Sequence, residues 1–162
     1  MIYDLEQMIR DTETLFKAKL NTEIVLINTQ KNDSIVLDQI PADQYVIFTL
    51  DDRVNNFKTP WIQIGIADTP LGESSLETAI EKNVITIQVA LFDINEKERK
   101  NTFYKLLRYQ KAIKQVLLKN PDLFQGYSSP LMQSLPPAAF PLDSRLIILT
   151  MGVNITATIT SN

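Results

Sequence analysis

The chain has 162 residues, 44% of them hydrophobic and 22% charged, with a formal net charge of −3; this is the make-up of one globular domain, long enough to bury about 70% of its unfolded surface. It contains no cysteine and no histidine, which excludes disulfides, thiolate nucleophiles, Ser-His-Asp triads, histidine acid–base catalysis and the usual zinc and iron sites. No apolar run approaches the ~20 residues of a membrane span, and the acids scattered through MIYDLEQMIRDTETLF argue against a signal peptide.

The chain opens on an amphipathic pattern over residues 2–20, with Ile2, Leu5, Met8, Ile9, Leu15, Phe16 and Leu20 on one side of a helix. Asp4 and Glu6 near its start and Lys17 and Lys19 near its end suit the helix dipole. The Ile, Val and Leu of Glu23 to Asn28 predict a strand, and Ile35-Val36-Leu37 a short partner in a hairpin. Beyond Pro41, the near-continuous apolarity of Tyr45 to Leu50 predicts a central strand buried on both faces. Trp61 to Ile66 alternates and predicts a further strand, with Trp61 partly buried; Ala67 to Glu77 is a polar connection marked by Pro70 and Gly72.

The organising stretch is Val84 to Lys119. Ile85, Ile87, Val89 and Leu91 alternate with Thr86, Gln88 and Ala90, a period of two that predicts a strand with one buried face. Asn95 with Glu98 forms an N-cap and capping-box pair. Phe103, Leu106, Leu107, Gln110, Ile113 and Leu117 then recur at helical spacing until Asn120-Pro121, a helix roughly 36 Å long at 1.5 Å per residue. Strand and helix meet across so short a junction that Ile87, Val89 and Leu91 are expected to face Phe103, Leu106 and Ile113. The helix also holds Lys97, Arg99, Lys100, Lys105, Arg108, Lys111, Lys114 and Lys119, half of the sixteen basic residues. Two readings stand: a solvated face suited to the macrodipole, or a basic face, with Lys105, Arg108 and Lys111 at its centre, that meets an acidic neighbouring subunit or passing nucleic acid.

Residues 120–143 hold five of the eight prolines together with Phe124, Tyr127, Leu131, Met132 and Phe140. The expectation is an extended loop that proline keeps out of a central strand. Either it folds back over its own core, or it is an arm, mobile alone, that orders against another subunit. Arg145 to Thr160 closes the chain as a long strand with a bulge or bend at Gly152. There is no internal repeat and no domain boundary, so residues 1–162 read as one α+β domain: a mostly antiparallel sheet with an N-terminal helix and one long helix packed on one face.

Candidate chemistry is sparse. Asp51, Asp52 and Asp68 could form a carboxylate site, but adjacent aspartates on an extended chain point to opposite sides and no calcium-loop spacing follows. Gly65, Gly72, Gly126 and Gly152 lie too far apart for a phosphate-cradling loop. No cofactor and no metal are expected.

The order of elements, with GESSLE as a loop, VITIQVALFD running into a glutamate-rich helix start and MGVNITATITSN as the closing strand, resembles the tail-terminator and tail-completion (neck) proteins of tailed phages. The likeness covers most of the chain as an order of elements, without a catalytic signature. It implies a non-enzymatic virion protein of tail or neck, assembled in the host cytoplasm. Its subunits would form a ring, typically hexameric, that caps the tail tube, meets the tail tube protein on one side and the neck or connector protein on the other, and leaves DNA room to pass without sequence-specific contact. The alternative from another class is a small α+β enzyme or ligand-binding domain that uses carboxylates such as Asp51, Asp52 and Asp68.

Overall fold

The structure is a computed structural model and describes residues 5–47, 59–66, 79–93, 95–124, 128–141 and 146–161. Two helices, α1 (Leu5–Lys31) and α2 (Arg99–Lys119), pack against a sheet of β1 (Tyr45–Ile47), β2 (Trp61–Ile66), β3 (Ala79–Asp93), β4 (Ser128–Pro141) and β5 (Ile147–Ser161). The strand order is β1-β2-β3-β5-β4. All neighbours are antiparallel except β1 and β2, so the fold is α+β with a mostly antiparallel sheet.

The α1 helix is longer than its pattern predicts, and the strand expected at Glu23 to Asn28 is its last turns. The stripe Met8, Thr12, Phe16, Leu20, Ile24, Ile27 is buried at steps of three and four, a helical period that outweighs the β-branched composition of the segment. Asn32, in the left-handed region at φ 43°, ends the helix, and its N–H donates to the carbonyl of Asn28.

The expected hairpin strand at Ile35 to Leu37 is instead an extended strap laid along α1. Asn28 Nδ2 donates to the Leu37 carbonyl while its Oδ1 accepts from Leu37 N, both at 2.9 Å. Two turns earlier, Asn21 does the same for Ile40, at 2.9 and 2.7 Å. The two side-chain amides thus take the place of a partner strand, and Leu37 and Ile40 are buried beneath. Asn28→Ala would strand both backbone groups of Leu37, which costs about 2 kcal/mol; urea unfolding checks this, and a loss under about 0.5 kcal/mol would show that water takes over.

Tyr45 to Leu50 is also reassigned. Described as strand only over Tyr45–Ile47, it lies at a margin of the sheet rather than its centre and runs parallel to β2; residues 48–50 lie outside the described set. Tyr45 donates its hydroxyl to the Phe16 carbonyl at 3.1 Å, and burial raises its pKa above the usual phenol value.

In β3 the odd positions Ile85, Ile87, Val89 and Leu91 enter the main core, with Ile62, Ile64, Met151, Val153 and Ile155 from the flanking strands and Leu106, Tyr109, Ile113, Val116 and Leu117 from α2. Of the helix residues expected against β3, Leu106 and Ile113 are there, but Phe103 is exposed and stacks obliquely on Tyr104 instead. On the other face Val46, Ala90 and Ile148 surround Trp61, which is fully rather than partly buried and meets Phe92 edge-on at 5.6 Å. Asn95 does cap the helical segment, its side chain accepting from Lys97 N at 3.0 Å to open a short 3₁₀ turn, Glu96–Glu98, that runs into α2.

The largest correction concerns residues 120–143. After a 3₁₀ turn, Pro121–Phe124, the chain forms β4 and pairs with β5 along its length. Its prolines are accommodated because β4 is an outer strand and because the ladder shifts register twice, between Ser128 and Leu131 and between Leu135 and Ala138. Pro130 occupies the first irregularity and Pro136-Pro137 the second, where an extra residue bulges and no N–H is owed to the ladder.

At the second bulge α2 supplies what the ladder loses. Buried Gln110 donates through Nε2 to the carbonyls of Leu135 and Gly152, at 2.9 and 2.7 Å. At Gly152 β5 leaves no room for a side chain against β3: a Cβ there would lie 1.9 Å from the Ile87 carbonyl oxygen. The expected bend is therefore a close backbone approach.

Candidate assembly surface

The β4 margin is built from side chains the core cannot take. By register Met132 lies opposite Ile155, on the helix-covered side, while Leu131 and Phe140 lie opposite Thr156 and Ile148, on the other. No strand covers the outer edge of β4 among the described residues, so all three remain in water: Leu131 is 68% exposed, Phe140 43% and Met132 38%. At the end of α2, Leu118 is 68% exposed. It lies beside a groove of about 210 Å³ whose walls are Leu117, Leu118, Met132 and Ile155, closed off by Pro121, Pro130 and Leu131. Leu118, Leu131 and Met132 stand together around this groove, an exposed apolar cluster that makes it a candidate contact surface, while Phe140 stands eight residues beyond Met132 along β4. Leu118 follows the buried pair Val116 and Leu117 on α2 but lies just outside the buried stripe.

The structure thus brings three of the five expected apolar interface residues, Leu131, Met132 and Phe140, onto one margin. Phe124 falls in the 3₁₀ turn before it, and Tyr127 lies outside the described residues. The basic residues of α2 separate. Arg108 turns inward, its guanidinium donating to both carboxylate oxygens of Asp33 and to the Ile35 carbonyl. It clamps the strap of its own chain and is not presented to a neighbour. Lys105 is half-buried, while Lys111 is exposed and borders a groove shared with Lys31, Tyr104 and Leu107. Arg99 and Lys119 are likewise held internally, by Asp93 at 2.7 Å and Glu23 at 2.6 Å. The charge excess of the helix is therefore smaller in space than in sequence.

The hydrogen bond from Arg108 holds the Asp33 carboxyl down at about 2, with help from the Ile35 N–H and nearby cations. A depressed acid contributes its stability above its unfolded value and loses it as pH falls through the folded one. The difference in melting temperature between the wild type and Asp33→Asn is expected to stay constant from neutral pH down to about 4 and to vanish as pH approaches 2. A difference that persists unchanged at pH 2 would mean that the clamp does not depend on the carboxylate charge.

No group of three or more acidic side chains that could hold a metal ion is present among the described residues; Asp51, Asp52 and Asp68 lie outside them. No described helix is long and apolar enough to cross a membrane. Compared with known proteins, the chain matches no family model and no curated sequence.

Proposed function

We propose that this chain is a structural subunit of a phage tail or phage-like particle, which closes into a ring that ends the tail tube and joins it to the neck. The observation that carries this reading is the β4 margin: an outer strand that exposes Leu131 and Met132 beside Leu118, and Phe140 further along. In a lone subunit these side chains are 38–68% exposed, so covering each by a neighbour is worth about half of the 1.5–3 kcal/mol of a full burial. The order of helices and strands set out above supports the tail-terminator reading in particular. On that reading the ring is hexameric, the tail tube protein and a neck protein stack on its two ends, and DNA passes through without sequence readout. Negative-stain images of the purified protein test this. Closed rings of uniform diameter support it, and a field of single small particles at every protein concentration contradicts it.

A further inference from the structure

The groove bordered by Lys111 runs between α2 and the strap and holds about 380 Å³. Tyr104, Leu107 and Lys111 line its α2 side at steps of three and four, so they share one helix face. Asp33 and Ile35 form the strap side, and Lys31 at the end of α1 closes it. Arg108 ties the two sides together, donating to both Asp33 carboxylate oxygens and to the Ile35 carbonyl. The walls are therefore set before a ligand enters, which lowers the ordering cost of binding.

The groove is apolar in its middle and positive around it. Tyr104 and Leu107 are 39% and 38% exposed. No acid occurs in α2 between Arg99 and Lys119. Of the acids on the neighbouring elements, Asp33 is closed by Arg108 and Glu23 by Lys119, and Asp38 is not part of the walls. Lys31 answers the negative C-terminal end of α1 and acts on Asp33 across space. Lys111 is exposed and has no acidic partner among the described residues.

We propose that this groove takes a segment of another protein in which an acidic side chain stands beside a large apolar one. The carboxylate meets Lys111, with Lys31 behind it, and the apolar group lies on Leu107 and Tyr104. Charge selects an acidic partner, and the exposed apolar pair selects a peptide over a bare anion, which would leave Leu107 and Tyr104 uncovered. Nucleic acid fits less well. Its phosphates would meet the fixed Asp33 carboxylate, and the Tyr104 ring is not a free stacking platform: Lys100 Nζ lies 5.8 Å from its centroid and the Phe103 ring 6.4 Å away at 47°. The groove shares no residue with the one at the β4 margin, so this inference stands apart from the ring reading.

Fluorescence anisotropy with the full-length protein tests it. The probes are a short labelled peptide of glutamate and leucine, the same peptide with serine for leucine, and a labelled oligodeoxythymidylate. The wild type is expected to bind the glutamate–leucine peptide, more weakly as salt rises, and the serine peptide about 5-fold more weakly. Lys111→Glu, with Lys31→Gln as its alternate should the first lower the melting temperature, is expected to weaken binding of the glutamate–leucine peptide about 10-fold. Lys19→Glu makes the same charge change at an exposed α1 position outside the groove and should leave binding unchanged. The proposal is overturned by no binding at low salt, by equal binding of the serine peptide, or by a Lys111→Glu protein that binds as the wild type does. Tighter binding of the oligodeoxythymidylate would overturn it in favour of nucleic acid, and wild-type self-association lost in Lys111→Glu would overturn it in favour of a second copy.

Discussion

Gly152→Ala is expected to destabilise the fold by about 3 kcal/mol or more, because overpacking commonly costs 1–3 and this site has no flexible neighbour to yield. The added methyl would lie 1.9 Å from the Ile87 carbonyl oxygen and 2.7 Å from the Gln88 Cα. Both are backbone atoms of β3, the strand with a partner on either side in the middle of the sheet. Relief requires β5 to move away from β3, and β5 also holds β4 and accepts the Gln110 hydrogen bond at Gly152. Against a total stability of about 5–15 kcal/mol, such a loss would be plain in urea unfolding. A cost below about 1 kcal/mol would mean that the two strands stand further apart than described. Gly65, with nothing within 4 Å of its would-be Cβ, serves as the control: Gly65→Ala is expected to be close to neutral.

Leu106→Ala is expected to cost about 2–5 kcal/mol, as truncation of a fully buried leucine does where the surroundings cannot collapse. Leu106 is completely buried in the layer between α2 and the sheet. Its neighbours there come from both strands and helices, so no single loop can shift to fill the space. At roughly 2–4 °C per kcal/mol for a chain of this size, the melting temperature should fall well beyond measurement error. Phe103→Ala, on the same helix but exposed, should change it little. Equal effects of the two variants would show that α2 is rotated relative to the sheet.

Alternation made β2, β3 and β5 readable, because a period of two fits the pleat of a strand; the second buried face, where Trp61, Ala90 and Ile148 meet, was not legible from it. The α2 helix was legible for the same kind of reason, from its apolar period and from Asn120-Pro121 at its end. Failure came where composition and period disagreed. In Glu23 to Asn28 the residues favour a strand, yet Leu20, Ile24 and Ile27 continue a helical stripe that began at Met8. The strap over 35–40 was invisible because its partners are the amides of Asn21 and Asn28, residues whose side chains carry no pairing signal in sequence. Residues 120–143 were read as a loop that proline keeps out of a central strand; β4 is not central, but it is a strand, an outer one whose bulges take Pro130, Pro136 and Pro137.

The assembly surface was partly legible for a related reason. Leu131, Met132 and Phe140 stood out as large apolar groups in a proline-rich segment, and their exposure follows from the place of β4 at the margin. Arg108 did not behave as its neighbours suggested, because its partner Asp33 lies 75 residues away in sequence. Opposite charges that distant in the chain are brought together only by the packing of α1 against α2.

On the proposed function, the β4 margin joins one subunit to another. Sedimentation velocity of the wild type beside Leu131→Arg, across a wide range of protein concentration, tests it most directly. Leu131 is two-thirds exposed in the single chain, so the substitution should leave the melting temperature unchanged. The wild type should sediment as a closed oligomer while Leu131→Arg stays a folded monomer. Identical sedimentation of the two proteins, whether both assemble or both remain monomeric, would contradict it.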